Sequence, residues 1–322
     1  MNLLRIKNLA YKALVLEDLM RLLHHCIAGL TGLGIALLAT PILAQPQDFS
    51  RVEIETVPVA DGVYMLVGEG GNIGVSAGED GVFLIDDQFA PLTWKIRAAI
   101  GELSNQPIRF VVNTHWHFDH TGGNENLGKR GAVIVAHDNV RKRMSVDQFL
   151  EVFGREIPAS PAAALPVVTF NDTVTFHLNG QTLHTFHVDP AHTDGDSVIH
   201  FREADVIHAG DIYFNGLYPF IDTQNGGSIE GMIAAVDRIL ALAGEDTKII
   251  PGHGPLSNKA EFQVYRQMLI AVRDRTQAAI QQGQSLEAFI ASNPTADLDP
   301  VWGKGFLSPA QFLTIVYKDL SR

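Results

Sequence analysis

A chain of 322 residues with 46% hydrophobic side chains carries enough apolar material for one large core or two small ones. Its 36 Asp and Glu against 24 Lys and Arg leave a formal charge of -12 with no basic cluster, which argues against nucleic acid as a partner. The single cysteine, Cys26, excludes an intrachain disulfide and a thiolate zinc cluster, so any metal chemistry must rest on His and carboxylate.

From Met20 the order is Arg21, two histidines, an apolar run over residues 27–38, then Pro41 and the small residue Ala44 before Gln45. That is the layout of a secretory signal cleaved after Ala44, and it predicts a periplasmic or secreted protein. The run is shorter than the roughly 20 residues a spanning helix needs, so no stable membrane span is expected after cleavage; an uncleaved anchor is the alternative. Glu17 and Asp18 are out of place in a basic leader, which points to Met20 as the true start. The chain therefore divides into a signal segment at 1–44, a catalytic domain at 45–260 and a helical C-terminal extension at 261–322.

The mature part opens with short β-rich runs at residues 52–57, 63–67, 73–77 and 82–85, separated by Gly-containing turns, which predicts an antiparallel meander. Residues 92–103 read as an amphipathic helix and 108–112 as a buried strand. A second series follows, with strands at 174–176, 182–188, 197–201 and 206–209, a helix at 229–243 and a strand at 248–250. Two meanders, each followed by a helix and a strand leading to histidines, imply an α/β fold with two sheets face to face and helices outside. The tail is helical in period at 259–282 and 309–320, with Pro294 and Pro300 bracketing the linker.

The strand at 108–112 runs into His115-Trp116-His117-Phe118-Asp119-His120, four good metal ligands within six residues. Imidazole suits zinc and the adjacent carboxylate a second, harder position. On a loop, 115 and 117 can face one ion while 119 and 120 face another, and Gly122 and Gly123 allow a tight turn beneath them. The bland alternative, an accidental His-rich loop, is weakened by the distant elements Pro190-Ala191-His192-Thr193, Ala209-Gly210-Asp211 and Pro251-Gly252-His253-Gly254, each expected just past a strand end. His137, His177, His184, His187, His200 and His208 lie in or beside strands and are read as packed residues, His187 being the least certain. Asp86 either orients a ligand histidine or serves a turn.

His-x-His-x-Asp-His followed by a separate His, Asp and His resembles the metallo-β-lactamase superfamily over about residues 50–260. The resemblance implies a four-layered αββα sandwich and a dinuclear zinc site, with His115, His117 and His192 on one ion, Asp119, His120 and His253 on the other, and Asp211 bridging. It further implies that Asp119 orients an attacking hydroxide. Two zinc ions lower the pKa of a shared water toward about 7, so a hydrolase acting on a small-molecule substrate is expected. Within the superfamily the fold does not choose the reaction. β-Lactam-like substrates are the leading expectation, and a thioesterase or lactonase of the glyoxalase II-like branch, which shares His120 and the bridging Asp, is the alternative. A periplasmic metal-binding protein without turnover is the reading from another class. Phe214 stands where β-lactamases carry a carboxylate-holding Lys, residues 212–222 contain no Lys or Arg, and the 69–72 turn is too short for a substrate-covering flap. Lactams should therefore bind weakly. Tyr213, Asn215 and Tyr218 either line the cleft or belong to a packed loop supporting Asp211.

Overall fold

The computed structural model describes residues 47–322; the expected signal segment, Met20 and Cys26 lie outside the described residues. The chain opens as an antiparallel meander of β1 (Glu55–Ala60), β2 (Val63–Val67), β3 (Ile73–Gly78) and β4 (Gly81–Ile85). The first strand starts later than its β-rich sequence predicts, and ahead of it the carbonyls of Phe49, Ser50 and Val52 accept from Lys95 Nζ. Helix α1 (Thr93–Leu103) then crosses over to β5 (Ile108–Val112), which pairs parallel with β4. Short helices α2 (Phe118–Thr121) and α3 (Asn124–Gly128) lead to β6 (Val133–His137), parallel to β5. Helix α4 (Asp138–Met144) is followed by a separate hairpin, β7 (Gln148–Leu150) and β8 (Arg155–Ile157), and β9 (Val168–Phe170) closes the first sheet beside β6. From sequence no range is assigned between Gly123 and Val174, although His137 is expected in or beside a strand, and β6 ends on it.

The second sheet holds β10 (Thr173–Leu178), β11 (Gln181–His187), β12 (Ser197–Phe201), β13 (Val206–Phe214), β14 (Lys248–His253) and β15 (Ser257–Asn258) in chain order. Helix α5 (Ile229–Leu242) is the crossover that makes β13 and β14 parallel. The chain ends with α6 (Lys259–Gln281), α7 (Leu286–Ala291), α8 (Asp299–Trp302) and α9 (Pro309–Leu320). Among the described residues no helix is long and apolar enough to cross a membrane.

Period-two alternation sorts the side chains into layers. Val63, Met65, Phe83, Ile85 and Val112 point inward and meet Leu183, Ile199, Phe201 and Ile250 of the second sheet. Their neighbours Leu66, Val82, Leu84 and Val111 point the other way, onto Leu92, Ile96, Ile100 and Leu127. The outer face of the second sheet buries Phe186, Val198 and Ile207 against Met232, Val236, Phe262 and Leu269 of α5 and α6. The result is the helix–sheet–sheet–helix sandwich expected from the two-meander pattern, with each fully buried large apolar side chain contributing about 1.5–3 kcal/mol.

Candidate metal centre

All seven candidate ligands gather at one edge of the sandwich, where β5, β13 and β14 end. The loop after β5 is drawn into place by Asp86, at φ 63° just beyond β4, whose carboxylate accepts from Thr114 N and Thr114 Oγ1, both at 2.7 Å. His192 sits on the loop between β11 and β12. Asp211 and His253 do not lie past strand ends as expected: Asp211 is inside β13 and His253 is the last residue of β14. The ladder is broken locally instead. Gly210 takes φ 53° against the Thr114 side chain, and the register of β13 shifts on either side of it, which turns Asp211 out of the sheet toward the loop.

His115, His117, His192 and Asp211 offer ligand atoms within 4.8 Å of one another, and Asp119, His120 and His253 form a second such group. Asp211 belongs to both in geometry: its Oδ2 lies 3.4 Å from His192 Nε2 and 3.4 Å from His253 Nε2, while its Oδ1 lies 3.1 Å from His120 Nε2.

Hydrogen-bond bookkeeping shows that this set fits cations. His192 Nδ1 donates to the Phe220 carbonyl at 2.7 Å, which leaves Nε2 a bare lone pair. His117 Nε2 donates to Asp222 Oδ2 at 3.1 Å, which leaves its Nδ1 bare as well, and these two lone pairs face each other at 2.8 Å. His120 Nδ1 meets Asp86 Oδ2 at 2.7 Å, and its Nε2 faces His253 Nε2 at 3.3 Å. His115 Nε2 is buried without any hydrogen-bond partner. The bare nitrogens of His117 and His192 repel unless a cation lies between them, and carboxylate-supported imidazoles are the usual zinc ligands.

The ionisation states agree. Burial pushes His115 down and His192 down to about 4, so both present neutral nitrogens. Burial alone would raise Asp119, but His120 and His253 hold it at about 2, and Asp211 is held low by the same ring of histidines. Burial opposes a proton on His253, but Asp211 and Asp119 prevail and lift it to about 9. That proton is released when a cation takes its place.

Several supports escape the motif. Asp222, 105 residues from His117, orients it, and Asp196 accepts from the backbone N–H groups of His192 and Thr193 at 2.6 and 2.9 Å. Burial pushes Asp196 up to about 7 even so. The 69–72 turn folds onto the site: a Cβ on Gly71 would fall 2.0 Å from His120 Cε1, and Asn72 Nδ2 donates to the Pro251 and Gly254 carbonyls. A Gly before a hairpin is the one hint that the sequence offers. Asp86 resolves as an orienting partner of His120.

The other histidines stand outside both groups. His187 stacks on His137 at 3.8 Å and lies 2.8 Å from the Asp196 carbonyl, and His208 is buried against Asn72. His184 and His200 pair across β11 and β12, and His177 lies on β10. Two of the residues left open between cleft and packed loop resolve as packed. Tyr213 is buried with its hydroxyl on Ser257, and Tyr218 is buried on Phe312 with its hydroxyl on Asp299, so both are packing residues. Asn215 donates to the Pro255 carbonyl. Phe214 is fully buried and stacks on His253 at 5.0 Å, so its position is not an open seat for a substrate-holding cation.

The sequence profile of the Metallo-beta-lactamase superfamily matches residues 66–253, and the chain belongs to that superfamily. It is 29% identical over 166 residues to the probable metallo-hydrolase YqgX of Bacillus subtilis, a stretch covering 50% of this chain and 75% of the relative. It is 28% identical over 181 residues to a hydroxyacylglutathione hydrolase of Polaromonas sp. (55% and 60% covered) and 26% over 173 residues to the acyl-coenzyme A thioesterase MBLAC2 of Bos taurus (49% and 60%). A metallo-beta-lactamase from Pontibacter korlensis superimposes with a TM-score of 0.56 at 19% identity, over 67% of this chain and 99% of that one, and shares the fold.

Proposed function

We propose that this protein is a zinc-dependent hydrolase holding two metal ions and cleaving activated acyl derivatives, thioesters first. The observation that carries the reading is Asp211, whose carboxylate reaches both ligand groups: Oδ2 lies beside His192 of one and His253 of the other, and Oδ1 beside His120. His115, His117 and His192 would hold one zinc, Asp119, His120 and His253 the other, and Asp211 both. Bound zinc supplies an ionised water at neutral pH and polarises a carbonyl.

The protein's own part is positioning and proton handling. Asp119 and His253 are the partly exposed members of the set, at 22% and 18% of the side chain, so substrate approaches from their side. Asp119 stays ionised there and offers a carboxylate oxygen on the open side that can accept a hydrogen bond from an attacking water. The buried histidines, locked by Asp86, Asp222 and the Phe220 carbonyl, keep the geometry rigid and exclude water from behind. The names of two relatives, a hydroxyacylglutathione hydrolase and an acyl-coenzyme A thioesterase, support trying thioesters before the β-lactams that the sequence alone ranks first. A lactam amide can reach the same open side, but buried Phe214 supplies no partner for a drug carboxylate, so lactams should show a high KM. The 20–44 pattern supports export to the periplasm or beyond.

The test is metal analysis of purified protein followed by a screen of thioesters, lactones, lactams and phosphodiesters with and without chelator. Two zinc ions per chain and chelator-sensitive thioester cleavage are expected. Fastest turnover on phosphodiesters would overturn the substrate reading, and metal binding with no turnover on any class would overturn the enzyme reading.

A further inference from the structure

Two large apolar side chains remain exposed beside the metal ligands and come from segments remote in sequence. Phe153, at the tip between β7 and β8, is 43% exposed, and Phe306, between α8 and α9, is 50% exposed. Their ring centroids are 6.3 Å apart. Phe306 lies 6.2 Å from the His253 ring and 6.0 Å from Phe214, which stacks on that histidine. Phe153 packs edge-on against Phe220 at 5.1 Å, and Phe220 lies 5.5 Å from His117 and 5.7 Å from His192. Each exposed ring is thus at most one ring away from ligands of a different metal group. Single exposed apolar residues are ordinary, but two converging on a polar site mark a binding surface.

The arm that carries Phe153 is pinned. Arg155 lies with its guanidinium 4.0 Å over the ring of Phe118, the residue between ligands His117 and Asp119. Glu151 accepts from Gln224 Nε2 at 2.6 Å and pairs with Lys318 of α9 at 3.4 Å. On the other side Leu307, buried at 1% exposure, anchors the loop that presents Phe306.

We propose that Phe153 and Phe306, in contact with each other, form the apolar floor of an acyl-binding subsite, and that the substrate carries an apolar alkyl or arylalkyl acyl group lying across them. This rests on the hydrolase reading and narrows it. A small hydroxylated acyl group gains nothing on this apolar surface, whereas each methylene buried against the rings is worth about fourfold in binding.

The experiment compares kcat/KM of the full-length, zinc-loaded protein on acetyl, hexanoyl and phenylacetyl thioesters of one thiol. The hexanoyl-to-acetyl ratio should be roughly tenfold to a hundredfold for the native chain. It should collapse toward unity in Phe153→Ala with Phe306→Ala and be largely restored by Leu at both positions. A ratio is independent of how much enzyme is folded. A flat native ratio, or one that survives both alanines, overturns the subsite. If no thioester is cleaved, the thioester reading fails separately. Calorimetric titration with hexanoate and acetate then decides the subsite: tighter hexanoate binding lost in the double variant supports it, and equal binding of the two acids sinks it.

Discussion

His117 shows how much of a metal site is made by residues that never touch the metal. Its Nε2–H is spent on Asp222, which fixes both the tautomer and the direction of the Nδ1 lone pair. Replacing Asp222 with Ala should weaken metal binding about 10–100-fold in a chelator competition. Unchanged affinity would mean that the neighbouring rings hold His117 without it. Gly71 acts by absence: Gly71→Ala would drive a methyl group into the His120 ring, so metal analysis of that variant should show the group of Asp119, His120 and His253 depleted. His208 gives a pH signature. Burial pushes it down to about 4, and in the fold it is neutral, accepting from Gly210 N and donating to the Asn72 carbonyl. The unfolded chain protonates it near pH 6.5, so between about 6.5 and 4 the unfolded state binds more protons and stability is lost as the pH falls. In metal-free protein the melting-temperature advantage of native over His208→Gln should therefore be largest near neutral pH and shrink across that window; a constant gap would exclude the linkage.

At the level of elements, β13 and α6 matter most. β13 runs on through Asp211 because its neighbour β14 supplies parallel partners as far as Phe214 and His253, although Gly210 interrupts the register. A glycine in an apolar strand reads locally as a stop, and only the partner strand shows that pairing resumes. Helix α6 is capped by Asn258, which accepts from Glu261 N, and it inserts Phe262 against Tyr213 at 4.5 Å on the strand bearing Asp211. Phe262 is fully buried, so Phe262→Ala should cost about 3–5 kcal/mol in urea unfolding, against about 1 kcal/mol for the exposed cap in Asn258→Ala. Equal costs would indicate that the cavity collapses on substitution.

For the whole molecule, the helices after Lys259 share one core with α5 and the outer face of the second sheet, and residues 48–322 form one compact unit. Ending the chain at residue 258 would uncover Met232, Val236 and Ile239 and remove Phe306 from the mouth of the site. That fragment should be insoluble or unfolded by circular dichroism; a soluble, metal-loaded fragment would show that the tail only decorates the domain. The negative formal charge is likewise a property of the whole chain, and the bound metals are what would offset it for an anionic substrate.

Read alone, the chain specifies the layered class and the cluster His115, His117, Asp119 and His120, because both are written in short-range terms: period-two strands, and His or Asp side chains closely spaced after an apolar run; His192, Asp211 and His253 join them only through the resemblance to the superfamily. The sequence left the elements between Gly123 and Val174 without bounds, since β7, β8 and β9 are three residues each and are defined only by the strands they pair with. It left the roles of Tyr213, Tyr218 and Asp86 open, because a polar group beside a motif looks the same whether it faces a cleft, a core or a ligand. The tertiary structure decided those, together with Asp222, Asp196, Gly71, Phe153 and Phe306. Asn72 and Gly254 are 182 positions apart yet hydrogen-bonded, and Phe153 and Phe306 meet across a comparable span. Such contacts exist only once the two sheets have packed face to face, since no local preference of the chain encodes which loops that packing brings to the same edge.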